Sequence, residues 1–164
     1  MVLIARTPSV ENVLCKHDED SGTAEAGVVV FLSGDDKVAK VAASGNVPFG
    51  FLGQQVRAQA AGLPLNFEFP SQQGSNTALI GDPVLVVHGG IYETDQYFLP
   101  SGVAAGSALY AKVDDVDNDG KLVADAADVA LDFDGSAKVV AVAQQDLSAD
   151  QAAANERLRV KLLI

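Results

Sequence analysis

Between Gly27 and Leu52 the chain runs GVVVFLSGDDKVAKVAASGNVPFGFL. An apolar run, Val28 to Leu32, meets the turn formers Ser33-Gly34-Asp35-Asp36, and a second β-prone segment follows from Lys37 to Val41. A small-residue loop then leads through Pro48 to the apolar tetrad Phe49-Gly50-Phe51-Leu52. Runs this short are too brief for core helices, and their β-branched content suits strands. The segment holds no His, no Cys and no Ser/His/Asp grouping. It is built to pack rather than to react.

The same grammar continues to the C-terminus. Expected strands are Val28–Leu32, Lys37–Val41, Gly50–Arg57, Asn66–Phe69, Thr77–Ile80, Val84–His88, Gln96–Leu99, Ala108–Val113, Lys121–Ala124, Ala137–Ala143 and Arg157–Leu163. The separators carry Gly, Pro, Asp, Asn and Ser, which favour turns through positive φ, fixed φ or local side-chain hydrogen bonds. Short strands at about 8–12-residue spacing point to an all-β fold, a small β-barrel or sandwich. At most one short helix is expected, at Ser148 to Glu156, where Ser148 and Gln151 have the spacing of a capping box. Residues 1 to 26 sustain no period, although Val2 to Ala5 has the makings of a short strand. They read as an extended N-terminal arm, followed by a single β domain over residues 27–164.

The last strand alternates cleanly. Leu158, Val160, Leu162 and Ile164 share one face, and Arg157, Arg159, Lys161 and Leu163 share the other. Three cations side by side are notable in a chain with 11 basic and 22 acidic residues, net −11. Acids on a neighbouring strand, another subunit, or solvent could face them. The acidic balance argues against nucleic acid as a partner, because such binding rests on Lys and Arg at phosphate. Eight Asp and one Lys fall between Asp114 and Asp134, so that stretch alone carries −7.

A lone cysteine, Cys15, rules out an intrachain disulfide and suits a chain made in a reducing cytosol. Val2 to Ala5 is too short for the hydrophobic region of a secretory signal. No run approaches the roughly 20 apolar residues of a spanning helix, so no membrane partner is expected.

The sharpest local pattern is Asp115-Val116-Asp117-Asn118-Asp119-Gly120, which has the alternate carboxylates and closing Gly of a calcium loop. Asp115, Asp117 and Asp119 are therefore candidate metal ligands for a weak Ca²⁺ site. The position where a calcium loop places its bidentate Glu is Ala126 here, and the flanks read as strands, so an acidic β-hairpin turn competes. No other cofactor is indicated. His17 and His88 lack the partners of a zinc site and read as structural residues. No nucleophile elbow or phosphate-binding loop occurs, and no catalytic residue is assigned.

Gly27-Val28-Val29-Val30-Phe31-Leu32-Ser33-Gly34-Asp35, then Pro48-Phe49-Gly50-Phe51-Leu52, the stretch from Tyr97 to Tyr110 before an acidic Asp-Gly turn, and the closing Leu158-Arg159-Val160-Lys161-Leu162-Leu163-Ile164 resemble capsid decoration (cement) proteins of tailed bacteriophages. The likeness spans roughly residues 27 to 164 in order of features. It implies a non-enzymatic homotrimer that binds the major capsid protein on the outside of an icosahedral head and stabilises it. Such a protein is made in the bacterial host cytoplasm and ends on the virion. The alternative reading is a calcium-dependent binding or adhesion module using the Asp115–Asp119 turn.

Overall fold

The computed structural model describes residues 4–5, 11–58 and 77–164. In chain order its strands are β1 (Ile4–Ala5), β2 (Glu11–His17), β3 (Val29–Gly34), β4 (Lys37–Lys40), β5 (Gly50–Leu52), β6 (Gln55–Arg57) and β7 (Thr77–Leu79). Then come β8 (Pro83–His88), β9 (Gly90–Thr94), β10 (Ala108–Ala111), β11 (Leu122–Val123), β12 (Val139–Ala143) and β13 (Leu158–Leu162). The helix α1 (Ala149–Ala153) precedes β13. The all-β barrel expectation is met. Strands β2-β4-β3-β5-β8 close into a barrel, and β1-β9-β13-β12-β10-β11 form a six-stranded sheet. Every pairing in that sheet is antiparallel. In the barrel only β2 and β4 run parallel.

The valine run is explained by the two bodies it separates. Val28 and Val30 pack with Cys15, Val38, Leu52 and Val84 in the barrel's cluster. Val29, Phe51 and Val87 belong to the cluster shared with Leu109, Ala141 and Val160 of the sheet. The barrel wall is thus apolar on both faces where the sheet covers it, so the alternation expected of a half-solvated strand disappears. Fully burying each such Val, Leu or Phe contributes about 1.5–3 kcal/mol. The tetrad Phe49 to Leu52 is core: Phe51 and Leu52 are fully buried, and Phe49 packs edge-on against the His88 ring at 4.7 Å between centroids. The chain passes from barrel to sheet through Gly89-Gly90, both at positive φ (61° and 94°), which glycine adopts without a Cβ clash.

The boundary after residue 26 is corrected for the described residues. Glu11–His17 is a barrel strand, with six registered pairs to β8, and not an arm. Its alternation is disguised because a histidine occupies an inward position and a leucine an outward one. Cys15 and His17 are buried while Leu14 and Lys16 are exposed. Gly90–Thr94 forms β9, a strand the sequence reading lacks, because two glycines and Glu93 mask it. Conversely, Gln96–Leu99 contributes only the single bridge Tyr97 to Leu122. Gly50–Arg57 splits in two, since the Gln54 side-chain oxygen accepts the Leu85 N–H that a continuing strand would have engaged. The Asn66–Phe69 strand lies outside the described residues.

Helix α1 starts as expected, with both halves of the Ser148/Gln151 capping box formed. It ends before Glu156 because Asn155 turns to φ 53°. Its Ala152 is buried in the shared core, which holds a helix too short to persist alone.

Candidate interaction surface

The acidic stretch folds into two separate turns. The first joins β10 to β11, which pair as a hairpin. The Asp115 carbonyl accepts the N–H groups of Asn118 and Asp119 at 2.8 and 2.7 Å. The Asp119 carboxylate reaches back to the Asp115 N–H at 2.9 Å, and the Asn118 amide donates to the Asp115 carboxylate at 2.8 Å. That amide holds the Asp115 carboxyl below its ordinary range. Lys121 in turn donates to Asn118 Oδ1 at 3.0 Å. The Gly120 carbonyl accepts Val29 N–H at 2.8 Å, which ties the turn to the barrel.

Asp115, Asp117 and Asp119 therefore share one turn, but two of the three carboxylates cap its own groups and Asp117 faces solvent. Among the described residues, no group of three or more His, Cys, Asp or Glu side chains is placed to hold a metal ion.

The second turn spans Asp132 to Ser136, between the bridge partners Leu131 and Ala137. Asp132 N–H donates to the Ser136 carbonyl and Gly135 N–H to the Asp132 carbonyl. One Asp132 oxygen accepts Phe133 N–H at 2.9 Å, and the other takes the Lys138 ammonium at 2.7 Å. Asp134 accepts both the N–H and the hydroxyl of Ser136, at 2.9 and 2.6 Å. Hydrogen bonds from Lys138 and from Ser136 keep the Asp132 and Asp134 carboxyls below their usual range. Leu131 N–H anchors the loop to the Ser44 carbonyl. On this stapled frame Phe133 is 92% exposed.

Phe133 belongs to a set. Leu14, Leu32, Phe98, Val116 and Leu163 are also large apolar side chains left in solvent. Phe98 stands on a ridge, Phe98 to Pro100, with a cleft on either side. One, of about 590 Å³, includes Lys112, Asp125 and Asp128, with Lys112 and Asp128 paired at 3.4 Å. The other, of about 460 Å³, is floored by Ala149, Ala152 and Ala153 of α1, and among the described residues its one charged lining residue is Lys121. The Tyr97 hydroxyl, on the wall of this second cleft, donates to the Glu156 carbonyl.

The C-terminal cations divide. Arg159 pairs with Glu93 on β9 at 3.2 Å, directly across the ladder. Among the described residues Arg157 and Lys161 form no ion pair and face solvent. His17 is fully buried, with Ser21 Oγ 3.2 Å from Nε2 and, among the described residues, no hydrogen-bond partner at Nδ1. Burial pushes its pKa down. Burial, aided by Asp36, pushes the Cys15 thiol up, away from thiolate reactivity.

The exposed aromatics escaped the sequence reading. The signal for Phe133 was its seat between Asp132 and Asp134 before Gly135, a turn tip where a ring has nowhere to bury. In the described part of the chain no helix is long and apolar enough to cross a membrane. Comparison with protein-family models and with curated proteins gives no match.

Proposed function

We propose that this chain is a non-enzymatic capsid decoration protein. It binds the outer surface of an icosahedral phage head as a homotrimer, contacts the major capsid protein and stabilises the shell. It is made in the host cytoplasm and ends on the virion exterior. The observation that carries the reading is the display of large apolar side chains on an acidic surface, Phe98 and, from a stapled turn, Phe133 foremost. Singly exposed apolar residues are common, but aromatics are the usual anchors of protein interfaces. A protein at net −11 is also repelled by packaged nucleic acid. The sequence resemblance supplies the identity of the shell, and the β-barrel with its covering sheet suits a rigid external clamp. The function requires no cofactor, and the Asp115 and Asp119 carboxylates serve it as turn locks.

The test adds purified protein to expanded capsids that lack it. Saturable binding in multiples of three, with a raised capsid melting temperature, supports the proposal. A monomer that leaves capsids unchanged overturns it.

A further inference from the structure

The turn at Asp132–Ser136 and the cleft beside α1 carry opposite charges beside apolar surface. Phe133 projects from its loop and is 92% exposed, so it does not fill a cleft of its own chain. Asp132 and Asp134 flank it, and Asp132 is already paired with Lys138, which leaves Asp134 as the carboxylate beside the ring with no ion pair among the described residues. Of the two clefts at the Phe98 ridge, the larger is lined by Asp125 and Asp128 and would repel that carboxylate. Among the described residues no carboxylate lines the smaller; its Lys121, which also borders adjoining hollows holding Glu25, Asp95, Asp117 and Asp119, and the alanine side of α1 offer a cation beside an apolar floor. Its volume of about 460 Å³ exceeds that of a phenyl ring and leaves room for the flanking carboxylate to approach Lys121.

We infer that Phe133 of one copy docks into the Tyr97/Phe98/α1 cleft of a second copy of this chain, with Asp134 facing Lys121. Each copy carries one knob and one cleft. The contact is therefore heterologous and propagates head to tail until a ring closes. The hydrogen bonds that staple the loop fix the ring's position before association, which lowers the ordering cost of docking. This inference rests on the homotrimer reading above and assigns its seam.

Analytical ultracentrifugation of wild type, Phe133→Ala and Ala153→Glu provides the test. Both positions are exposed, so thermal unfolding of the two variants at low concentration should match wild type. The expected result is a trimer whose dissociation constant rises on the order of thirtyfold in Phe133→Ala, the scale of a central aromatic anchor. Ala153→Glu, which places a carboxylate against Asp134, should weaken it likewise. Mixing Phe133→Cys copies with Ala153→Cys copies under mild oxidation should give the mixed disulfide in excess of either self-linked pair. Cys15, being buried, stays out of this reaction.

A wild-type trimer that Phe133→Ala leaves equally tight overturns the inference and leaves the trimer standing. The same result with loss of capsid binding assigns Phe133 to the shell and likewise overturns docking on a second copy. A monomeric wild type overturns the trimer reading and this inference together.

Discussion

The two aspartate turns use the same local chemistry for opposite ends. Both close on a glycine at positive φ, Gly120 at 76° and Gly135 at 80°. Both satisfy their own backbone N–H groups with carboxylates. The first is pressed against the barrel: its Gly120 carbonyl takes Val29 N–H, and Asp119 is buried at 9% exposure. The second stands clear and carries Phe133 outward. Turn chemistry says that the chain reverses. What lies beneath the reversal decides whether it fastens two bodies together or presents a side chain.

The largest expected contrast is between the two glycines. A Cβ at Gly120 would lie 2.9 Å from Lys40 Cγ and 3.1 Å from the Val29 carbonyl oxygen. At Gly135 it would meet nothing within 4 Å. Both alanine variants carry the left-handed backbone cost of about 1–2 kcal/mol, and only Gly120→Ala adds displacement of the barrel strand. Urea unfolding should show a loss of about 3 kcal/mol for Gly120→Ala and about 1 kcal/mol for Gly135→Ala. Equal losses would mean that the first turn is no better fastened than the second.

The carboxylates come next. Asp119→Ala strands the Asp115 N–H in a part-buried site, an expected loss of about 1.5 kcal/mol. Asp134→Ala removes an exposed cap whose N–H is left to water, and the change should stay within about 0.5 kcal/mol. A reversed order would show that the exposed loop depends on its staple for the stability of the whole molecule.

The legibility of the molecule follows the same division. The Asn118-Asp119-Gly120 turn, the Ser148 cap and the alternation of Leu158, Val160 and Leu162 could all be read in the sequence, because each is a local pattern with a local cause. Strand β2 could not, since His17 points inward and Leu14 outward against the hydropathy of their types. Nor could the split of Val28, Val29 and Val30 between two cores, because the sheet that buries Val29 arrives from residues far along the chain. The candidate surface was least legible. Phe98 looks like an ordinary core aromatic until the fold leaves it without a core, and Phe133 is marked only by the acidic turn around it. The Arg159–Glu93 pair was half visible: the cationic stripe shows in the sequence, whereas its partner needed the register of β9 on β13.

Acid should separate the carboxylates from the buried histidine. The Asp115, Asp132 and Asp134 carboxyls lie below their ordinary range in the folded protein. The unfolded chain therefore binds their protons first. The stability they contribute is complete above the unfolded value of about 3.9 and is lost as pH falls through the lower folded values. His17 has a depressed pKa for a different reason, its burial in the barrel. Its contribution is complete above the unfolded value of about 6.5, and the loss starts as pH drops below that value and continues to the folded one. The urea midpoint should accordingly decline in two stages, one opening near pH 6.5 and one below about pH 4. Asp132→Asn should shallow the second stage alone. A first stage that shrinks in Asp132→Asn would sink the assignment to His17.

Calcium gives the smallest expected effect and the finest test of the first turn. To bind there, an ion would have to draw the Asp119 carboxylate off the Asp115 N–H and the Asp115 carboxylate off Asn118. It would do so beside the Lys121 ammonium, which is 3.0 Å from Asn118 Oδ1 and repels a dication. Position twelve of the loop, Ala126, supplies no side-chain oxygen in return. The melting temperature in millimolar Ca²⁺ should thus agree with that in chelator to within about 1 °C. Asp117→Asn, which touches the one carboxylate of the three left in solvent, should leave both values in place. A rise of several degrees that Asp117→Asn abolishes would make the turn a calcium site, and the capping bonds would then be its resting state.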